Sequence, residues 1–339
     1  MNENIVERIT NLLANVGDWL KAHYNDSSLK NIIKKDSRNI TFGVDWNVEE
    51  TILRGLEEIG LNAIVITEER EKVKIGNGKT EWYIFLDPLD GSKNYVNNIP
   101  YSAISLAMCK YKNEIYFSDI EIGFVHDIWN GTTYYATPEN ATLKGDTSPP
   151  NPIIIGYMTG PAFNIFRHFK KLGYNVRTFG SAALDLLQVA FGRAEAFLDP
   201  ISKMRVFDIA GAYVILRHAG GVIYDANGEN YKGKLILRGD HINLTLNSVL
   251  AFRSNKFAKK YFEEIENIAI PEEFIIKVGR TIKKNKISFS YDGKYIIING
   301  ENGIRRISPG QSICYGNLTL YTYPLSNKIT VIEMNEITP

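Results

Sequence analysis

The sequence predicts an α/β (mixed α+β) fold with a small β-rich appendage, on three observations. Strand-length apolar runs alternate with helical spacings in the first half of the chain, and a strand and two helical patterns follow in the second. A proline-rich break, Ser148-Pro149-Pro150-Asn151-Pro152, separates those halves. Beyond Asn267 the β-formers cluster between turn signals.

In chain order, Ile5, Ile9, Leu12, Leu13, Val16 and Leu20 recur at helical spacing with Asn, Glu and Asp between them. That pattern is an amphipathic helix, and neither a signal peptide nor a membrane span. A second helix is expected through Val48, Ile52, Leu56 and Ile59, just after Phe42-Gly43-Val44-Asp45-Trp46-Asn47. Ala63-Ile64-Val65-Ile66 is a buried strand that delivers Thr67-Glu68-Glu69 at its end, and Tyr83-Ile84-Phe85-Leu86 is another that ends where Asp87 begins. Antiparallel candidates follow at 103–110 and 115–125. After the break come the strand Ile153-Ile154-Ile155 and a helix over 183–191. Asp208 starts an apolar helix through Val214, Ile215 and Leu216 that closes at Ala219-Gly220-Gly221. The tail strands are expected at 286–290, 294–299, 318–323 and 328–333, with turns at Asp292-Gly293 and Ser308-Pro309-Gly310. The expected division is 1–148 and 149–267 as two halves of one catalytic unit, with 268–339 appended.

Asp87-Pro88-Leu89-Asp90-Gly91-Ser92-Lys93-Asn94 carries the chemistry. Two carboxylates three residues apart at a strand end supply oxygen ligands suited to a hard cation such as Mg²⁺. Pro88 sets the turn, Gly91 permits close backbone approach, and the amides after Gly91 would point at a bound phosphate. Asp-Pro and Asp-Gly are also ordinary turn pairs, and Asp208 taken alone also fits a plain N-cap. A sheet could bring Glu68 beside Asp87.

Together Thr67-Glu68-Glu69, the Asp87 to Asn94 run, Gly180-Ser181-Ala182-Ala183-Leu184-Asp185-Leu186 and Phe207-Asp208-Ile209-Ala210-Gly211 resemble the inositol monophosphatase family. This family belongs to the Mg²⁺-dependent, lithium-sensitive phosphatases that include fructose-1,6-bisphosphatase. The resemblance covers roughly the first four fifths of the chain in the family's order, and it implies a layered α-β-α-β-α fold with the site between halves.

Carried over by position, the resemblance implies that Glu68, Asp87 and the carbonyl of Leu89 hold one Mg²⁺, while Asp87, Asp90 and Asp208 hold a second. Two or three Mg²⁺ per site, and inhibition by Li⁺, come with it. Ser92 would pair with Asp45 to orient and deprotonate the attacking water, with Glu68 assisting. The backbone at Gly91 and Ser92 would cradle phosphate, and Gly180, Ser181, Ala182 and Asp199 would meet the sugar or polyol. Ser92 stands where threonine is usual, Phe207 where tryptophan is usual, and His218 where an acid is common. None of these departures removes a metal carboxylate.

With 39 basic and 38 acidic residues among 339, the chain lacks the basic excess of a general nucleic-acid binder. Lys34-Lys35 and Lys283-Lys284-Asn285-Lys286 are expected to be solvated surface, although Lys34, Lys35 and Asp36 also match a family loop near the metals. Cys109 and Cys314 form no Cys-x-x-Cys pair, and Cys109 is expected as a reduced core residue in a cytoplasmic protein. The five histidines show no zinc spacing.

The expected function is a Mg²⁺-dependent phosphomonoesterase of small phosphate esters, led by inositol 1-phosphate and fructose 1,6-bisphosphate, in a homodimer without nucleic-acid or membrane partners. The alternative substrates are 3′-phosphoadenosine 5′-phosphate or NADP, and the alternative of another class is a non-catalytic phospholigand binder. The tail has a likeness to the β-rich end of the NAD kinases fused to some archaeal relatives. It has no Gly-Gly-Asp-Gly motif, which argues against kinase activity.

Overall fold

A six-stranded sheet with apolar side chains on both faces carries Asp87 and Asp90 at the end of one strand. The computed structural model describes residues 3–35, 40–142, 152–157, 163–200, 204–239 and 241–265, then the segments 272–275, 281–284, 287–292, 295–300, 303–307, 312–315, 318–322 and 328–333. The chain divides into two units, one of 1–157 with 173–259 and one of 158–172 with 260–339.

The first unit opens with α1 (Glu3–Ala22), the antiparallel pair β1 (Ile32–Lys35) and β2 (Ile40–Phe42), and α2 (Gly43–Glu58). There follow β3 (Ala63–Thr67), β4 (Glu71–Ile75), β5 (Trp82–Asp90), the short α3 (Ser92–Val96) and β6 (Ala103–Lys110). Next are β7 (Glu114–Tyr116), β8 (Ile122–Asp127) and β9 (Thr132–Ala136). The large sheet runs β4-β3-β5-β6-β8-β9, with β3 and β5 parallel and the other neighbours antiparallel.

After β10 (Ile153–Gly156) and α4 (Phe163–Lys171) come β11 (Asn175–Arg177), α5 (Ala182–Ala190), β12 (Ala196–Asp199) and α6 (Val206–His218). Then come β13 (Val222–Tyr224), β14 (Leu235–Arg238), β15 (His241–Ile242), β16 (Val249–Phe252) and α7 (Asn255–Ile265). The second large sheet has the order β11-β10-β12-β16-β13, and β15-β14-β7 form a small third one.

Strand periodicity explains the layering of this unit, because successive side chains point to opposite faces. Val65, Ile84, Leu86, Leu106, Met108 and Phe124 join one core with Ile9 and Leu13 of α1 and Val48 and Ile52 of α2. Their neighbours Ile66, Phe85, Ala107, Cys109 and Val125 join the other core with α5 and α6. All nine residues of β5 are buried. Each large apolar side chain so buried stabilises the fold by ~1.5–3 kcal/mol.

Helix α6 lies close against the sheet because two glycines meet there. A Cβ added at Gly123 would stand 2.3 Å from the Gly211 carbonyl oxygen, and one at Gly211 would stand 2.6 Å from that of Phe124. This close packing holds the start of α6 near the end of β5.

The second unit holds α4, the end of α7 and two four-stranded antiparallel sheets. Phe169 of α4 stacks on Tyr261 with centroids 5.5 Å apart, and His168 Nε2 lies 2.9 Å from Glu264 Oε2. The sheets are β17-β24-β23-β22 and β18-β19-β20-β21, from β17 (Glu272–Ile275), β18 (Thr281–Lys284), β19 (Ile287–Tyr291) and β20 (Ile296–Gly300) with β21 (Gly303–Ile307), β22 (Ser312–Tyr315), β23 (Leu318–Thr322) and β24 (Lys328–Glu333). The expected β-rich appendage is therefore present.

Two expectations differ in detail, and one strand was not expected. β5 continues through Asp87 to Asp90 rather than stopping at Leu86, with its pairing to β6 shifted between those two aspartates. Pro88 has no N–H to give a ladder, which accounts for an irregularity there. The run 115–125 is broken by a 3-10 turn at Phe117–Asp119, whose start is held by Asp119 accepting from the Tyr116 amide. The exposed β4 joins the sheet edge without a hydrophobic run to announce it. Asp36, residues 148–151, Lys286, Gly293, Lys294, 308–310 and Tyr323 lie outside the described residues.

Candidate active site

Parallel pairing sets the first two acids side by side. Thr67 of β3 is in register with Leu86 of β5, so Glu68 and Asp87 follow each other's strands at the same sheet end. Asp87 is 3% exposed, and its Oδ1 accepts from the Leu89 amide at 3.1 Å. The Leu89 side chain is in the core with α1 and α2, which leaves its carbonyl as the group able to serve a ligand.

Asp90 faces the N-terminus of α5. Its Oδ2 accepts from the Ser181 hydroxyl at 2.5 Å and the Ala183 amide at 2.8 Å, and its Oδ1 accepts from the Ala182 amide at 3.1 Å. Free amides and the helix dipole both favour a carboxylate there. Gly91 has φ +82°, and a Cβ on it would come within 3.0 Å of the Tyr101 carbonyl oxygen and 3.2 Å of that of Gly180. Asn94 ties the same place together, donating to the carbonyls of Tyr101 and Phe179 at 2.9 and 2.7 Å. The Gly180-Ser181-Ala182 segment thus lies against the Asp90-Gly91 turn, and Ser92 opens the helix that follows.

Asp45 and Asp208 occupy matching positions. Each is the third residue of its helix and accepts the backbone N–H of the residue before the helix, Asp45 from Phe42 and Asp208 from Arg205, both at 2.8 Å. That is half of a capping box, and it holds each carboxylate at a helix start. Asp208 is therefore not the N-cap, which is Arg205, and its contact with the Arg205 amide goes together with its electrostatic coupling to the other acids. Asp45 Oδ1 is buried and has no hydrogen-bond partner.

The acids feel one another. Burial pushes the Asp87 carboxyl well up, and Glu68, Asp90 and Asp208 push it further. Burial and then Glu68 raise Asp208. Burial lifts Asp90 although three hydrogen bonds favour its charge. Asp45 is raised by burial and by Glu68, Glu69 and Glu49. Asp199 ends β12 and is 3% exposed. The buried Tyr157 hydroxyl is raised by burial and by Asp185, Asp90, Asp199 and Asp208, which puts Asp199 in the same neighbourhood.

Sequence reasoning missed several members. The Arg205 guanidinium bonds the Glu68 carboxylate and lies 4.5 Å from the Phe207 ring centroid. A cation at a helix start opposes the dipole, and that mismatch was the available signal. Glu49, one turn after Asp45, is fully buried; its Oε2 accepts from the Thr67 hydroxyl at 2.5 Å and the Glu69 amide at 3.1 Å. Arg70 pairs with Glu49 at 3.2 Å and with Glu50. Asp185, also fully buried, accepts from the Tyr101 hydroxyl at 2.9 Å.

Among the described residues, no three His, Cys, Asp or Glu side chains are grouped as a metal ion would need. Glu68 meets Arg205, and Asp90 meets the α5 amides. The donors nevertheless fit a hard cation. All are oxygens, Asp45 Oδ1 lacks a partner, and the mutual charge on Asp87, Asp90 and Asp208 exceeds what one guanidinium offsets.

A family model described as the inositol monophosphatase family matches residues 1–268. The chain belongs to that family. Its members are metal-dependent phosphatases, enzymes that hydrolyse phosphoric monoesters. Among curated relatives, a bifunctional NADP phosphatase/NAD kinase of Methanococcus maripaludis is 29% identical over 209 residues, 55% of this chain and 37% of that protein. The match thus spans little more than a third of that relative. A fructose-1,6-bisphosphatase/inositol-1-monophosphatase of Methanocaldococcus jannaschii is 29% identical over 187 residues, 54% of this chain and 71% of the relative. Among solved structures, the extragenic suppressor protein suhB of Bartonella henselae has a TM-score of 0.63 at 20% identity, covering 78% of this chain and 99% of its own. An inositol monophosphatase from Anabaena has a TM-score of 0.58 at 19% identity, covering 79% and 97%. These similarities place the fold in the layered sugar-phosphatase class. No described helix is long and apolar enough to cross a membrane.

Proposed function

We propose that this protein is a Mg²⁺-dependent phosphomonoesterase that hydrolyses small polyol and sugar phosphates, with inositol 1-phosphate and fructose 1,6-bisphosphate as leading substrates. The observation that carries the reading is the electrostatic coupling of Asp87, Asp90 and Asp208 to Glu68 beside the Asp90-Gly91-Ser92 turn, with the carboxyls of Asp87, Asp90 and Asp208 each raised by burial first and by Glu68 as well. Two curated activities of relatives, fructose-1,6-bisphosphatase and inositol-1-monophosphatase, support the substrate class.

In this reading Glu68, Asp87, the Leu89 carbonyl, Asp90 and Asp208 hold the metal. Divalent cations bound there lower the pKa of water and neutralise charge on the phosphoryl oxygens. The Gly91 and Ser92 backbone receives the phosphate, since Gly91 lets the chain approach without a side chain between. Ser92 Oγ orients the attacking water, and Asp45 Oδ1, buried and without a partner, receives its proton. Gly180, Ser181, Ala182 and Asp199 line the side toward the alcohol of the ester. A cytoplasmic homodimer and inhibition by Li⁺ go with this reading.

A second reading, hydrolysis of NADP or 3′-phosphoadenosine 5′-phosphate, is favoured by one feature. Phe179, next to Gly180, is 39% exposed and packs its ring 5.1 Å from that of Tyr101. An exposed aromatic ring held beside a phosphate cradle is a stacking face for a nucleobase. The Methanococcus maripaludis relative's name includes NADP phosphatase.

Phosphate release from inositol 1-phosphate, fructose 1,6-bisphosphate, 3′-phosphoadenosine 5′-phosphate and NADP tests both readings, with Mg²⁺, with chelator, and with Mg²⁺ plus Li⁺. Release that needs Mg²⁺ is expected, and the preferred compound selects the reading. Ligand binding without release would point to a phospholigand-binding protein instead.

A further inference from the structure

We infer that Arg205 is a built-in cation of the carboxylate cluster, which contends with a divalent metal ion for Glu68 and so weakens metal binding at this site. The inference rests on the metal-dependent reading above and goes beyond it, because it assigns a role to a residue outside the proposed ligand set.

The position of Arg205 is determined from several sides. Its backbone N–H is held by Asp208 Oδ2 at 2.8 Å, and the residue bridges to Thr245 of the neighbouring segment. The next amide, that of Val206, donates to the Leu244 carbonyl at 2.9 Å. The guanidinium lies over the Phe207 ring, 4.5 Å from its centroid, and its Nη2 reaches Glu68, 137 positions away in the chain. The residue is thus held through its backbone by one proposed metal ligand and reaches another with its side chain. Phe207, where the family has tryptophan, provides the flat surface on which the guanidinium rests.

Its charge has opposite consequences in the two states of the site. Without a metal, the Arg205 guanidinium pairs with the Glu68 carboxylate while its backbone N–H is held by Asp208. It then offsets repulsion among those acids. Arg70, the guanidinium at the other end of the Glu68-Glu69 segment, is engaged by Glu49 and Glu50 instead. When a metal binds, the Glu68 carboxylate must serve a compact double charge, and Arg205 adds repulsion of like sign at short range. A residue that stabilises the metal-free protein and opposes the metal-bound one lowers metal affinity by linkage. It also reduces the gain in thermal stability on metal addition.

The test is calorimetric titration of the full chain with Mg²⁺ and with Mn²⁺ as a second probe, for wild type, Arg205→Gln and Arg205→Lys, alongside Tm in chelator and in saturating Mg²⁺. Arg205→Gln is expected to bind metal tighter, on the order of tenfold, and to have a lower Tm in chelator with a larger rise on metal addition. Arg205→Lys keeps the charge but loses the planar fork, so it should lie between the two. In a Glu68→Gln background the effect of Arg205→Gln on affinity should largely disappear. If Arg205→Gln does not fold in chelator, its affinity is read by refolding in Mg²⁺, and Arg205→Lys alone should still bind tighter than wild type. Metal binding by wild type that both variants weaken or leave unchanged would overturn the inference alone. Absence of metal binding in all three would overturn it together with the metal-dependent reading.

Discussion

The Ser181 hydroxyl donates to Asp90 Oδ2 at 2.5 Å, joining the N-terminus of α5 to the end of β5 across 91 positions of sequence. Ser181 Oγ also accepts from the Leu184 amide at 3.4 Å, so one hydroxyl caps a helix and orients a carboxylate. Ser181→Ala removes both bonds from a fully buried place. A loss of ~1–3 kcal/mol is expected in denaturant unfolding, together with slower turnover because Asp90 is then held by two amides only. Unchanged turnover at saturating Mg²⁺ would show that the orientation of Asp90 by Ser181 does not matter to the chemistry.

Asp90→Asn and Asp208→Asn each remove a charge from the cluster while keeping its shape. Turnover should drop by ~100-fold or more for each, with circular dichroism like that of wild type. A near wild-type rate in either variant at saturating Mg²⁺ would remove that residue from the ligand set.

Ser92→Ala separates proton handling from metal binding. The kcat is expected to fall by ~100-fold or more, as for loss of a positioned acid-base partner, with metal affinity unchanged. Ser92→Thr retains the hydroxyl and should stay close to wild type. A parallel loss of metal affinity in Ser92→Ala would make Ser92 part of the metal site instead.

Phe179→Ala bears on substrate choice. Stacking of a base is worth ~1–3 kcal/mol, so KM for NADP should rise by roughly 5-fold to 150-fold while that for inositol 1-phosphate hardly moves. Equal losses on the two substrates would mean that Phe179 only supports the Gly180 turn.

His126 should make stability depend on pH at a place remote from the acids. It is fully buried, with Nδ1 2.8 Å from Thr133 Oγ1, and its Nε2 has no partner and faces Gly17 of α1. Burial pushes its pKa down, against Asp127 and Asp18, which push it up. The unfolded chain therefore takes up a proton near pH 6.5 that the folded chain refuses. Stability should be full above that pH and fall as pH drops below it, until the lower pKa of the folded state is passed. Thermal melts from pH 7.5 to 5.5 check this in wild type and in His126→Gln, where that part of the slope should vanish; parallel slopes would sink the idea.

Much of the fold was legible because burial repeats with the period of the element that produces it. The spacing of Ile9, Leu13, Val16 and Leu20 specifies α1, and all four are buried. The runs at Ala63 and Tyr83 specify β3 and β5, and their ends place Glu68 and Asp87 once the strands pair in parallel. The β4 edge was not legible, since its Glu and Lys side chains face solvent and no apolar pattern marks it. The break of 115–125 was missed although Ser118 and Asp119 are turn-forming residues, because apolar β-formers flank them on both sides.

By itself, then, the sequence determined the family, the alternation of helices and strands, the β-rich tail and the residue types gathered at strand and helix ends, because these depend on contacts within a few residues. Only the tertiary structure decided which of those groups meet: Asp90 with the α5 amides, Asp185 with Tyr101, Arg205 with Glu68. Such pairs join positions 84 to 137 apart, and they exist only after sheet register and the close approach of Gly211 to Gly123 have placed α5 and α6 against β5. Hydrogen bonds and charge act over a few ångströms, so no spacing along the chain encodes them.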